Sequence, residues 1–67
     1  MKPLRLNWQF IVFPSAGGGH WLASAAVREH PFTTVETAEG YGPQSALDAV
    51  LVFCHAHEAA LMAIGRL

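Results

Sequence analysis

Cys54, His55, His57 and Glu58 fall within five consecutive positions of a 67-residue chain. Each of these side chains can ligate a metal or move a proton. Cys54 and His57 are three apart, a spacing that puts both on one helix face within reach of a shared ion. Tetrahedral zinc needs two further ligands, and His20 and His30 are the candidates. Against zinc, no second C-x-x-C or H-x-x-x-H pair occurs, and on a helix His55 points about 160° away from His57. The expectation is a chain with no metal and no cofactor, and zinc on Cys54 and His57 stands as an alternative.

Nucleophilic catalysis would use Cys54, a histidine and an acid such as Glu58. A helix-interior cysteine beside Val50 and Leu61 should have a raised pKa, the wrong direction for a nucleophile. No G-x-S-x-G motif is present, and the five acids form no obvious acid–base pair. The run SAGGGHW lacks the helix start and the Lys-Ser/Thr pair of a phosphate loop, and reads better as a hairpin turn. Trp8 and Trp21 could stack on bases, but without cationic companions they read as core or interface anchors. The chain is expected not to be an enzyme.

Three strands and a helix position these residues. Leu4, Leu6, Trp8 and Phe10 alternate with Arg5, Asn7 and Gln9, which predicts a strand over 4–13. Residues 20–28, HWLASAAVR, fit a strand or an alanine-rich helix. The glycine turn before them and Pro31 after them favour the strand of a hairpin. Residues 32–38, FTTVETA, are rich in β-branched side chains and predict a third strand, ended by Gly40 and Gly42. Pro43 suits the first helical position, and nothing breaks a helix from Gln44 to about Ile64. The expected fold class is α+β: a three-stranded antiparallel sheet in β-β-β-α order, packed against one long C-terminal helix.

On a helical wheel the apolar residues of that helix span an arc of roughly 220°, where a helix covering one sheet face needs ~100° or slightly more. His55 falls among the polar residues near Asp48 and Glu58 on their shoulder, both expected to lean toward water. His57 falls between Phe53 and Leu61, where a histidine is usually half-buried and satisfied by a backbone carbonyl or an interface group.

Composition agrees with surplus apolar surface. The chain is 52% apolar and 13% charged, where soluble domains average about 25% charged. A single domain of 67 residues buries only about 60% of the surface of its unfolded form. One cysteine excludes an internal disulfide, so association is the remaining remedy beside metal. A net charge of -1 without a basic run argues against nucleic acid as a direct ligand. No segment approaches about 18 uninterrupted apolar residues, so no membrane partner is expected and the chain reads as cytoplasmic. The expected partner is a protein, contacted through Trp8, Trp21, Phe32, Phe53 and His57. A homodimer, as a structural or small-ligand-binding module, is the alternative.

Gly19, Trp21, Ala23, Glu29, Pro31, Glu39, Gly40, Pro43, Ala46 and Leu47 give a pattern that resembles the core of HicB-like antitoxins. The resemblance covers residues 4–62. It implies a hairpin, a short proline turn, a third strand, a helix, and the habit of binding and blocking a toxin. Gly42, Gln44 and Ser45 replace the family's capping threonine and acids, Phe32 replaces a glycine, and the family's DNA-binding segment has no counterpart. In size and lack of a catalytic set, the chain also looks like phage anti-defence inhibitors of the anti-CRISPR type, which block a host defence complex. The expected function is therefore non-enzymatic inhibition by stoichiometric binding.

Overall fold

The computed structural model of the protein describes residues 3–29 and 32–67, apart from the side chain of Phe32. Three strands, β1 (Gln9–Pro14), β2 (Trp21–Glu29) and β3 (Phe32–Gly40), precede one helix, α1 (Pro43–Ala63). The strands form one antiparallel sheet in the order β1-β2-β3. The α+β arrangement read from the sequence is the one observed, and the ambiguous stretch after the glycine turn is strand.

Strand register sorts the side chains onto two faces. Phe10, Ala25 and Glu36 lie abreast, as do Val12, Ala23 and Ala38. This face carries the buried Ala23, Ala25, Val27 and Ala38, which pack with Ala46, Val50 and Cys54 of α1. The side chains between them point the other way. Ile11 and Val35, on that second face, are 62% and 57% exposed. The molecule is a helix on one side of a sheet, 15 Å in its thinnest dimension.

Val50 and Cys54 are the largest fully buried side chains. A contact of Ala, Val and Cys brings the helix close to the sheet, and Trp8 is the one buried aromatic of the described residues. Gly40 shows how close the approach is: a Cβ there would lie 2.4 Å from the backbone nitrogen of Ala46. Gly40 pairs with Trp21, so β3 runs through this glycine instead of ending before it.

The turn between β1 and β2 behaves as the glycine run implies. Gly18 and Gly19 take φ of 74° and 84°, values that cost a side chain energy, and Ser15 N–H donates to the His20 carbonyl at 3.0 Å. The helix begins at Pro43 with no side-chain cap and no acid in its first turn, so packing holds this end. Its other end closes in a Schellman pattern, with Arg66 N–H donating to Leu61 O at 2.9 Å and Gly65 at φ 74°.

The first strand is shorter than expected, because β1 starts at Gln9 and residues 4–8 lie outside it. The N–H groups of both Arg5 and Leu6 donate to the Glu58 carboxylate, at 2.8 and 2.9 Å. Successive N–H groups of a strand point to opposite sides, so serving one carboxylate bends the chain out of strand geometry.

Candidate functional site

Glu58 divides the molecule into a fixed side and an open one. It projects from α1 and is only 4% exposed. Besides the two backbone donors it accepts the Trp8 indole N–H at 2.8 Å. Burial works against its charge, but the bonds from Arg5, Leu6 and Trp8, with His55 nearby, outweigh it and hold the carboxyl below its ordinary value of 4.5. This corrects the expectation that Glu58 leans toward water. The N-terminal segment folds over this flank of the helix and supplies the donors a buried carboxylate needs. His55, three residues before Glu58 on the same flank, is likewise half-buried and not solvated, and its Nε2 is buried without a hydrogen-bond partner among the described residues.

Trp8, expected at an interface, is therefore core: it is 8% exposed, and its indole N–H is used by Glu58. Its ring meets His57 edge-on, with centroids 5.7 Å apart. His57 is half-buried, and its Nε2 lies 3.0 Å from Glu29 Oε2. Glu29 also accepts a hydrogen bond from the Thr34 hydroxyl. That bond does most to hold its carboxyl below 4.5; partial desolvation opposes it, and His57 and Arg66 reinforce it. The carboxylate stands between hydroxyl and imidazole, so the ring cannot take the Thr34 proton, and the trio braces α1 against β2 and β3.

A second set of hydroxyl, imidazole and carboxylate sits at the opposite end of the sheet. Ser15 Oγ is 3.2 Å from His20 Nδ1, and His20 Nε2 is 3.5 Å from Glu39. The single hydroxyl hydrogen of Ser15 goes to the Gly18 carbonyl at 3.0 Å. Ser15 therefore accepts from His20, opposite to the proton flow that a general base requires. These residues tie the turn to β3.

The zinc reading loses its geometry. β2 separates His20 from the His57 end of the sheet by nine residues, roughly 25–30 Å of strand. His30 lies outside the described residues. Among the described residues no group of three or more His, Cys, Asp or Glu side chains is placed to hold a metal. Cys54 is fully buried, and burial foremost, with Glu36 and Glu58 adding, pushes its thiol up to about 11. The thiol is protonated and poorly suited to attack or ligation at neutral pH.

The open side is apolar. The inward stripe of α1 is Ala46, Val50, Cys54 and Glu58. Phe53, Ala56, Ala60 and Ala63 recur at intervals of three and four on the outer side and are exposed, as expected for one helical face. Phe53 is 47% exposed and Val52 beside it 62%. Met62 and Ile64 extend the surface toward the helix end. No Asp, Glu, Lys or Arg interrupts α1 between Asp48 and Glu58. Of the other residues expected at an interface, Trp21 is half-buried and packs against the core, and the side chain of Phe32 lies outside the described residues.

Helix α1, 21 residues with a mean hydropathy of 1.4 in its best window, also meets the length and composition of a membrane span. No segment had been expected to approach a span. Asp48, His55, His57 and Glu58 interrupt its apolar run.

No known family model matches the chain, and neither a curated protein nor a solved structure matches it.

Proposed function

We propose that the protein acts without catalysis, by stoichiometric binding of another protein to the outer face of α1. One observation carries this reading: the helix presents an uncharged face around Phe53 that its own sheet does not cover. Apolar patches of this kind on small domains are characteristic of interaction surfaces. A half-exposed aromatic ring among alanines suits an anchor role, since small neighbours let a partner approach closely. The inhibitory role in this reading, of the antitoxin or anti-defence type in which a small domain blocks a larger machine, rests on the sequence resemblance and the chain's small size. The test is capture of partners from a lysate of the encoding organism, with Phe53→Asp beside the unaltered chain. Recovery of the same proteins in the same amounts by both forms would reject the helix surface.

A second reading, the homodimer, rests on β1. Its residues Gln9–Pro14 form an edge strand without a charged side chain, whereas the other edge, β3, carries Glu36 and Glu39. Charged side chains are a common guard against edge-to-edge pairing, and β1 lacks them. Light scattering at micromolar concentration separates the readings: a monomer removes the dimer.

A further inference from the structure

The sheet has a face that turns away from α1. Strand register places Ile11, Ser24 and Thr37 abreast on it, with Gln9, Ala26 and Val35 in the next row. Ile11 and Val35 are 62% and 57% exposed. The solvent side of an antiparallel sheet is ordinarily polar. These two rows carry no charge, and half of their side chains are aliphatic.

Charge enters this face only at its two ends. In one end row Phe13 and Leu22 lead to Glu39; in the other Arg28 stands beside Thr33. Leu22 and Arg28 are roughly 20 Å apart along β2. The two opposite charges therefore lie at equal distances from the midpoint of the face, which is level with Ala25. Among the described residues Arg28 has no carboxylate partner, and Glu39 meets His20 at 3.5 Å with its side chain still 70% exposed.

A surface arranged in this way is complementary to itself. Consider a two-fold axis between two such faces, crossing the strands level with Ala25. It sets each row against the row equally far on the other side of the midpoint. Ser24 of each copy then faces Ala26 of the other, and Thr37 faces Val35. Glu39 faces Thr33, one strand spacing or about 4.8 Å from Arg28. Both side chains are long enough to cross that offset, so an Arg28–Glu39 pair closes each end. An axis along the strands would instead set Arg28 against Arg28, and charge selects between the two orientations. Nothing bulky on β2 holds the centres apart, which suits the aligned face-to-face packing of two sheets.

We propose that the protein forms a two-fold homodimer through this face, a sandwich of two three-stranded sheets with α1 of each copy on the outside. The contact uses neither the outer face of α1 nor the edge of β1, so it stands or falls apart from both readings above.

The face measures roughly 20 Å along the strands and about 15 Å across them, at the low end for specific interfaces. The test is therefore sedimentation velocity of the full chain from about 10 µM to about 1 mM. The sedimentation coefficient should rise with concentration. Arg28→Glu sets two carboxylates together at each end and should raise the dimer dissociation constant at least about tenfold. Adding Glu39→Arg restores opposite charges in reversed order and should return the constant to that of the parent. Ser24→Arg, at the centre, should abolish association by wedging the faces apart. Melting curves matching that of the parent show that each variant is folded. The proposal is overturned by a coefficient that stays constant up to about 1 mM, by unchanged association of Arg28→Glu, or by a folded double variant that stays monomeric. A dimer that survives Ser24→Arg belongs to the edge of β1, and one that Phe53→Asp dissolves belongs to α1; either result also overturns it.

Discussion

The two sides of α1 have nearly the same apolar character and opposite fates. The inward stripe, Ala46, Val50, Cys54 and Glu58, is buried to the last atom or nearly so, and it contains the one buried acid of the described residues. The outward stripe around Phe53 is more uniformly apolar and stays exposed. Hydrophobicity alone therefore does not choose the core in this protein; size and donor supply do. The sheet offers Ala23, Ala25 and Ala38, which accept only small side chains at close range, and the N-terminal segment offers three donors that make a buried carboxylate tenable. Phe53, too bulky for that narrow contact, and Val52, turned outward beside it, are left for something else.

Substitutions on the two stripes should separate widely. Glu58→Ala leaves the Arg5, Leu6 and Trp8 donors without an acceptor, at about 1–3 kcal/mol for each buried group left unsatisfied. Urea denaturation should show a loss of at least about 2 kcal/mol, a large share of the stability of a domain this small. Stability near that of the parent would mean that the inward stripe is not what fixes the N-terminal segment.

Next in size is the pH response of the same contact. A carboxyl held below 4.5 in the fold stabilises fully above that value. Its contribution is lost as pH falls below 4.5 toward the lower folded pKa. Glu29, also held low, adds a loss of the same sign. Urea midpoints measured from pH 6 down to about 3 should fall, and replacing Glu58 by Gln should flatten the curve.

Cys54 gives the alkaline counterpart. Its thiol pKa of about 11 in the fold lies above its ordinary 9.0, so stability is complete below 9.0 and drains away between 9.0 and about 11. At pH 8 a thiol reagent should label the native chain slowly and the urea-unfolded chain rapidly. Rapid native labelling would place Cys54 on the wrong side of the comparison.

The smallest structural effect belongs to the outer stripe. Phe53→Asp should change stability by no more than about 0.5 kcal/mol in urea, as surface substitutions do. A loss of several kcal/mol would show that Phe53 supports the fold.

How much of this could be read from the residues follows from the same contrast. Period-2 alternation, the glycine run and Pro43 are local signals, and they lead to three strands and the helix with boundaries near the observed ones, except that β1 begins at Gln9 and not at Leu4. The surplus width of the helix's apolar face was also legible, because it depends on spacing alone. Burial of Glu58 was not, since it depends on where residues 5–8 cross the helix, a long-range fact. A hint existed: Glu58 continues the four-residue spacing of Ala46, Val50 and Cys54, and the indole of a core Trp8 needs an acceptor. Spacing alone does not supply that partner, so it leaves Trp8 as either a core or an interface anchor.

The most direct test of the central claim is a capture experiment with Phe53→Asp and parent chain at matched folded concentration, quantified against the same lysate. The account predicts that Phe53→Asp, folded and as stable as the parent, loses the partner that the parent recovers. Equal recovery by the two forms, with both folded, would contradict it.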